Sequence, residues 1–218
     1  MNWSEQIDAY CERTDFSYWS EPVNAVTNLA FLVAAVWMWR RSAGLPAARV
    51  LCAILFVIGV GSFLFHTHAT AWAATADVVP IGLFILFYLF LVDRQMLGWP
   101  LWAAAIGTAG FLPYAVGVTV VLRDVPFFGV SNFYWTVPIL LVIYAVVFRA
   151  RLGVAARGFV IGAVILSASI TARTLDEALC DVWPIGTHLG WHLLNAVMLG
   201  WMTEVYRRHM VEGAAQRG

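Results

Sequence analysis

The sequence predicts an all-α protein, a bundle of seven helices that each span a membrane. Apolar residue types make up 61% of the 218 residues and charged types only 12%, whereas a soluble domain has roughly 25% charged residues. A helix needs about 20 consecutive apolar residues to cross the hydrocarbon core. Such stretches recur at 22–40, 48–66, 76–93, 100–122, 127–148, 155–173 and 184–205. No linker or low-complexity tract divides them, so residues 1–218 are expected to form one seven-helix domain.

The segments outside the spans are short and polar. Residues 1–21 are acidic and lack the basic start and apolar core of a cleavable signal peptide. We expect them to form an extracytoplasmic leader ahead of the first span. Residues 206–218 follow the last span as a cytoplasmic tail. The fourth and fifth spans are separated least sharply, because prolines and glycines recur around their boundary at Pro113, Gly117, Pro126 and Gly129.

The distribution of arginine predicts how the bundle is oriented. The chain has 13 arginines and no lysine, and ten of the arginines fall on one side of the predicted membrane. By the positive-inside rule that side is cytoplasmic. The C-terminus is then in the cytoplasm and, with an odd number of spans, the N-terminus is outside. The absence of lysine excludes a retinal protein, because the Schiff base of retinal needs an amine.

Three histidines lie at the same outer depth of the predicted bundle. The second span ends in GSFLFHTHAT, which contains His66, and the seventh begins with THLGWHLLN, where His188 and His192 share one helix face. An ionisable side chain inside a span is costly, so each histidine is a candidate site residue. Three imidazoles suit zinc, whose catalytic sites leave a fourth position free for water. The sequence therefore predicts a zinc site at His66, His188 and His192.

A carboxylate and a hydroxyl are expected beside these histidines. Residues 189–191 are leucine, glycine and tryptophan, so no acid between the two histidines of the seventh span can act as a base. Asp77, at the predicted start of the third span, is the best-placed acid, and Ser62 lies one turn before His66. Two alternatives stay open: Asp77 as the N-terminal cap of its helix, and Ser62 as a small residue that packs helices.

The leader contains a second group of potential ligands. Its acids offer the oxygen-rich surroundings that calcium prefers, and they are Asp8, Glu12, Asp15 and Glu21. They lack the spacing of an EF-hand. A solvated acidic leader without a metal ion is the alternative.

The three cysteines divide into one inner and two outer residues. Cys52 lies in the middle of the second span, whereas Cys11 and Cys180 both fall on the outer side of the predicted membrane. A disulfide persists in such an oxidising compartment. We predict that Cys11 and Cys180 pair and tie the leader to the loop before the seventh span.

The same motifs resemble those of the alkaline ceramidase family over essentially the whole chain. The set is specific in combination: Ser-x-x-x-His, an aspartate eleven residues later, and His-x-x-x-His. The stretches that carry the resemblance are CER followed by SEPVNAVTN, GSFLFHTHATAWAATADVVPI, LDEALC and HLGWH. The resemblance implies a place in a wider group of seven-helix membrane hydrolases that includes adiponectin-receptor-like proteins.

The resemblance also implies a role for each candidate residue. It makes the three outer histidines the zinc ligands. Asp77 would accept a proton from the attacking water, and Ser62 would stabilise the oxyanion that forms at the amide carbonyl. Eukaryotic relatives bind calcium near the N-terminus, which implies a calcium site in the acidic leader. The pairing of Cys11 with Cys180 is implied as well.

We therefore expect a zinc-dependent membrane amidohydrolase that cleaves the N-acyl amide bond of ceramide-like lipids to a fatty acid and a sphingoid base. The expected partners are the bilayer and a substrate lipid with a long acyl chain, with no nucleic acid; the oligomeric state is not predicted. The expected location is a bacterial-type inner or plasma membrane, with the active site on the extracytoplasmic side.

Two alternatives to this function stay open. One is hydrolysis of another acylated lipid, such as a phospholipid or an aminolipid. The other is a receptor or sensor in which zinc is structural. A transporter is disfavoured, because the ionisable residues are concentrated at one end of the predicted bundle.

Overall fold

The computed structural model describes residues 2–215, which form a bundle of α-helices without a β-strand. The all-helical prediction is confirmed. The helices of these residues are α1 (Pro22–Thr27), α2 (Leu29–Arg41), α3 (Pro46–His68), α4 (Ala71–Leu91), α5 (Leu101–Leu122), α6 (Asn132–Val147), α7 (Arg149–Leu152), α8 (Val154–Leu175) and α9 (His188–Ala215). The predicted tail is helical through residue 215, whereas 216–218, with Arg217, lie outside the described residues.

Within residues 2–215, six helical segments are long and apolar enough to cross a membrane, which makes the chain a multi-pass membrane protein. Each overlaps one of the first six predicted spans, and they are Pro22–Arg41, Pro46–His68, Ala71–Met96, Leu101–Leu122, Gly129–Val147 and Val154–Leu175. Helix α9 takes the place of the seventh span. Its mean hydropathy is lower because it carries polar residues such as His188, His192 and Glu204. That the chain crosses the membrane seven times, and that its N-terminus lies outside and its C-terminus inside, remain predictions.

The start of α4 differs from the prediction. The prediction that Asp77 begins the third span is wrong, since α4 begins at Ala71 and Asp77 lies in its second turn. The leader explains the difference, because it accepts hydrogen bonds from the first N–H groups of the helix. Ala71 N donates to Glu5 O (3.0 Å) and Trp72 N donates to Trp3 O (3.1 Å). Donors that would otherwise lack a partner are satisfied, so Asp77 is not needed as a cap.

Helices α3 and α4 approach each other closely at Gly61. A Cβ atom at this position would collide with the carbonyl oxygen of Ala76 and would lie 3.2 Å from the Cα atom of Asp77. Only glycine permits this distance between the two backbones. The close approach brings Ser62, the next residue of α3, alongside Asp77 of α4.

A disulfide and a buried carboxylate join the leader to the start of α9. Cys11 and Cys180 are bonded, with their Cα atoms 5.2 Å apart, which confirms the predicted pairing. Oδ1 of Asp176 accepts hydrogen bonds from Thr187 N (2.6 Å) and His188 N (2.8 Å), and Oδ2 accepts one from Cys11 N (3.0 Å). The carboxylate thereby satisfies the N–H of the first residue of α9. Asp176 thus fixes the position of His188.

The turn before α9 requires glycine at position 186. Gly186 has a φ of +72°, and a Cβ atom there would collide with Oδ1 of Asp176. A side chain would therefore disturb both the backbone and the carboxylate that holds the start of α9.

Replacement of Gly186 by alanine should destabilise the protein more than replacement of Gly44. Gly44 is a matched control, because its φ is +78° but a Cβ atom there meets nothing within 4 Å. The positive φ costs both variants roughly 1–2 kcal/mol, and Gly186→Ala also weakens the hydrogen bonds to Asp176, at about 1 kcal/mol each. Equilibrium unfolding in detergent measures the difference. Equal losses for the two variants would contradict the role of Gly186.

Candidate active site

Three buried imidazole rings meet at one end of the bundle. His66 comes from the last turn of α3, and His188 and His192 come from the first two turns of α9. Each is at most 1% exposed. One ring nitrogen from each residue lies within 4.8 Å of the other two. The structure therefore brings together the three histidines of the predicted zinc site.

One nitrogen of each ring has no hydrogen-bond partner. These buried atoms are Nε2 of His66, Nδ1 of His188 and Nε2 of His192. A buried polar group left without a partner costs about 1–3 kcal/mol, so three at one point need an explanation. A cation that takes imidazole nitrogen as its ligand satisfies all three at once. This donor set fits a zinc ion.

The other ring nitrogens of His66 and His192 are held by the first helical segment and the residue before it. Nδ1 of His66 is 2.6 Å from Oε2 of Glu21, and Nδ1 of His192 is 2.8 Å from Oγ1 of Thr27. Because the Thr27 hydroxyl donates its proton to the carbonyl of Asn24, it accepts from Nδ1–H of His192. Each ring therefore points the lone pair of Nε2 toward the centre of the group. Partners of this type orient metal ligands and raise their basicity.

Glu21 is itself held by a buried arginine. Oε1 of Glu21 pairs with Nε of Arg13, and Oε2 also accepts from Nδ2 of Asn24 (3.2 Å). Burial by itself would raise the pKa of Glu21, but the hydrogen bond from His66 and the charge of Arg13 lower the pKa overall. The carboxylate is therefore ionised beside His66.

The acids predicted to bind calcium have other contacts. Both carboxylate oxygens of Glu12 accept backbone N–H groups at the start of α1, those of Val23 (2.6 Å) and Asn24 (2.8 Å). Asp8 and Asp15 are exposed. Among residues 2–215, potential metal ligands of the types His, Cys, Asp and Glu converge on one point at the three histidines. The acids of the leader are not part of that group. Calcium binding by Asp8, Glu12, Asp15 and Glu21 stays a prediction.

Ser62 and Asp77 lie beside the histidine group. Ser62 is buried, and its hydroxyl interacts with the Asp77 carboxylate. The carboxylate also interacts electrostatically with His66 and Arg173. Asp77 does not belong to the group of three histidines whose donor atoms lie within 4.8 Å of one another. It therefore lies beside the proposed ligands and is not one of them.

The sequence did not predict a role for Tyr10. Its ring stacks on His188 with the ring centroids 3.7 Å apart. Burial raises the pKa of Tyr10, although the nearby charge of Arg173 acts in the opposite direction. The phenol is therefore protonated and can donate a hydrogen bond at the edge of the site.

A role for Arg173 at the site was also not predicted from the sequence. The position of Arg173 at the end of the sixth predicted span, where a charged residue is unusual, was a signal for such a role. Its guanidinium lies 5.1 Å from the ring centroid of Tyr134 and 6.0 Å from that of Trp191. Nη1 of Arg173 donates to Oγ of Ser131 (2.9 Å). Arg173 thus adds a positive charge to the wall of the site. His68, by contrast, is exposed and contacts aromatic rings at the surface.

One comparison with known proteins identifies the family of the chain. The family model described as Ceramidase matches residues 4–211, which include every candidate residue discussed above. A search of curated proteins gives no match. Because the family model covers nearly the whole chain, the protein belongs to the ceramidase family of ceramide-hydrolysing enzymes.

Proposed function

We propose that this protein is a zinc-dependent amidohydrolase that cleaves the N-acyl amide bond of ceramide-like lipids to a fatty acid and a sphingoid base. The observation that carries the proposal is the convergence of three buried, unpartnered imidazole nitrogens within 4.8 Å. Membership in the ceramidase family supports the reaction. The apolar helices around the site support a lipid substrate.

The composition of the donor set supports a catalytic zinc site. Three protein ligands and one open position are typical of catalytic zinc, whereas structural sites have four protein ligands. Within residues 2–215 no cysteine, aspartate or glutamate joins the three histidines, which favours catalysis over a structural role. When bound, zinc would polarise the amide carbonyl and activate water near neutral pH.

Asp77 and Ser62 would assist the reaction from the α3–α4 side. Asp77 is the carboxylate that flanks the histidines without joining them, so it is suited to accept a proton from the attacking water. Ser62 lies one turn before His66, and its hydroxyl can donate to the oxyanion that forms on the amide carbonyl. The two side chains are held together by the close approach at Gly61.

A small apolar cavity of about 40 Å³ lies deeper in the bundle than the histidine site. It lies between α4, α5, α6, α8 and α9, and its lining includes Phe84 and Met198. Phe84 follows Asp77 by seven residues and Met198 follows His192 by six. At about 1.5 Å per residue, both are roughly 10 Å further into the bundle than the site. The cavity is too small to hold an acyl chain, but its apolar lining shows that the interior below the site is hydrophobic, and a lipid with its amide at the histidines would have an apolar tail.

We infer that the site faces the extracytoplasmic side. The excess of arginines at the opposite end supports this orientation through the positive-inside rule. The disulfide between Cys11 and Cys180 supports it independently, because it lies at the histidine end and disulfides persist in oxidising compartments. A lipid of the outer leaflet would reach the site from within the membrane.

Product analysis should separate the ceramidase from other lipid hydrolases. Purified protein is incubated with a ceramide, a phospholipid and an aminolipid of matched acyl chains, and the products are identified by mass spectrometry. We expect a sphingoid base and a fatty acid from the ceramide at a higher rate than any product of the other lipids. Preferential hydrolysis of another lipid would contradict the proposed substrate. A protein with bound zinc and no turnover of any lipid would favour the receptor or sensor.

The variant His192→Ala should lose bound zinc, because it removes one of three ligands. Metal content is measured by mass spectrometry of the purified protein, which does not depend on activity. His68→Ala is the matched control, since His68 is on α3 but exposed and should leave the zinc content unchanged. Full zinc stoichiometry in His192→Ala would refute the ligand set.

The variant Asp77→Asn should keep zinc and lose turnover. General bases contribute about 10²–10⁴-fold to rates, so kcat should fall by that order. Asp124→Asn is the control, because the Asp124 side chain is 80% exposed and lies outside the site. An unchanged kcat in Asp77→Asn would refute the role of this carboxylate as the base.

A further inference from the structure

A groove on the outer surface of the bundle runs between α2 and α9, away from the candidate active site. Its volume is about 570 Å³. Small residues, Ala34, Ala196 and Gly200, form part of its lining, and Trp37 and Trp201 flank it. The indole of Trp37 is 63% exposed. The groove is therefore an apolar recess that faces the surrounding lipid.

The groove has the length of one membrane leaflet. Leu193, the residue after His192, lines one end, and Glu204 and Arg208 line the other. Glu204 is the eleventh residue after Leu193, which corresponds to roughly 16 Å of helix. This is about half of the ~30 Å hydrocarbon core. An acyl chain of the leaflet at the Glu204 end can therefore lie along the groove.

Three arginines surround one carboxylate at the end of the groove furthest from the histidines. Glu204 accepts hydrogen bonds from Arg41 (3.1 Å), Arg207 (2.7 Å) and Arg208 (2.8 Å). One carboxylate cannot neutralise three guanidinium groups, so this cluster keeps two positive charges. The side chains of Arg41 and Arg208 are 42% and 57% exposed, whereas Arg207 is 19% exposed. Arg41 and Arg208 are thus the groups that a ligand in the groove would meet.

Neighbouring charges do not cancel this excess. On the other flank of Arg208, Arg157 and Glu212 line an adjoining recess and carry opposite charges. The guanidinium of Arg208 lies 5.9 Å from the ring centroid of Trp201, which keeps it beside the groove. An anion at this end of the groove would therefore meet a net positive charge.

We propose that the groove binds one anionic phospholipid, with an acyl chain between α2 and α9 and the headgroup phosphate on Arg41 and Arg208. Guanidinium groups match the geometry of phosphate oxygens and bind them bidentately. An anionic headgroup with one negative charge also offsets one of the two excess positive charges of the cluster. The site is independent of the proposed hydrolase function, because none of its residues belongs to the histidine group or its partners.

Native mass spectrometry tests the proposal on the purified protein in detergent. The protein is titrated with phosphatidylglycerol or phosphatidylcholine of identical acyl chains. We expect one phosphatidylglycerol to bind about tenfold more tightly than phosphatidylcholine, because its headgroup carries a net negative charge that Arg41 and Arg208 attract, whereas the choline group cancels the charge of the phosphate. Equal affinities for the two lipids would overturn the proposal.

The double variant Arg41→Gln/Arg208→Gln should lose this preference. Glu204 keeps its paired hydrogen bonds to Arg207, so the buried carboxylate is not left without a partner. Arg149→Gln is the control, because Arg149 is an exposed arginine of the same end of the bundle outside the groove, and the preference should survive there. An unchanged preference in the double variant, or an equal loss in the control, would contradict the site.

A second pair of variants tests the groove without altering charge. Val197→Trp fills the groove at a position that is 57% exposed, and Val116→Trp changes an exposed residue of α5 outside it. Only Val197→Trp should weaken phosphatidylglycerol binding, while thermal unfolding shows that both variants remain folded. The native spectra also show whether the protein forms dimers. If it does, and Val197→Trp disrupts them, the groove binds a second copy of the chain and the proposal is overturned.

Discussion

The burial of three imidazole nitrogens without protein partners is the constraint on which the histidine end of the structure depends. At about 1–3 kcal/mol for each unsatisfied group, their combined cost is comparable with the 5–15 kcal/mol by which a whole domain is stable. The surrounding contacts do not relieve this cost, because Glu21 and Thr27 occupy the opposite nitrogens of two rings. They direct the remaining lone pairs to one point. Binding of an ion at this point would therefore be coupled to the stability of this end of the fold.

The leader is a structural part of the bundle. Its backbone accepts the first N–H groups of α4, its cysteine is bonded to the loop before α9, and Glu12 caps α1. Arg13 supplies a positive charge within the acidic segment, where it pairs with Glu21 and donates to the carbonyl oxygens of Asp15 and His66. The leader thus joins the first helices to the last one, and the Arg13 side chain supplies a positive charge among its acids.

Sequence patterns predicted the parts of the site that depend on local spacing. His188 and His192 are four residues apart and must share a helix face, and the outer position of Cys11 and Cys180 allowed their pairing to be predicted. The start of α4 was missed because its first hydrogen bonds go to Glu5 and Trp3, which lie more than sixty residues earlier. Thr27 and Tyr10 gave no signal, since a threonine or a tyrosine in such a segment is ordinary. Their roles arise only when α9 packs against the first helices.

The order of the site residues along the chain has a consequence for biogenesis. His66 and Glu21 are synthesised early, whereas His188 and His192 belong to the last helix, and the disulfide spans 169 residues. During translation the leader, outside the membrane, and α1 and α3, within it, must wait while four further apolar segments are inserted. The three histidines can therefore come together only at the final step of maturation, and a truncated or stalled nascent chain lacks the complete candidate site.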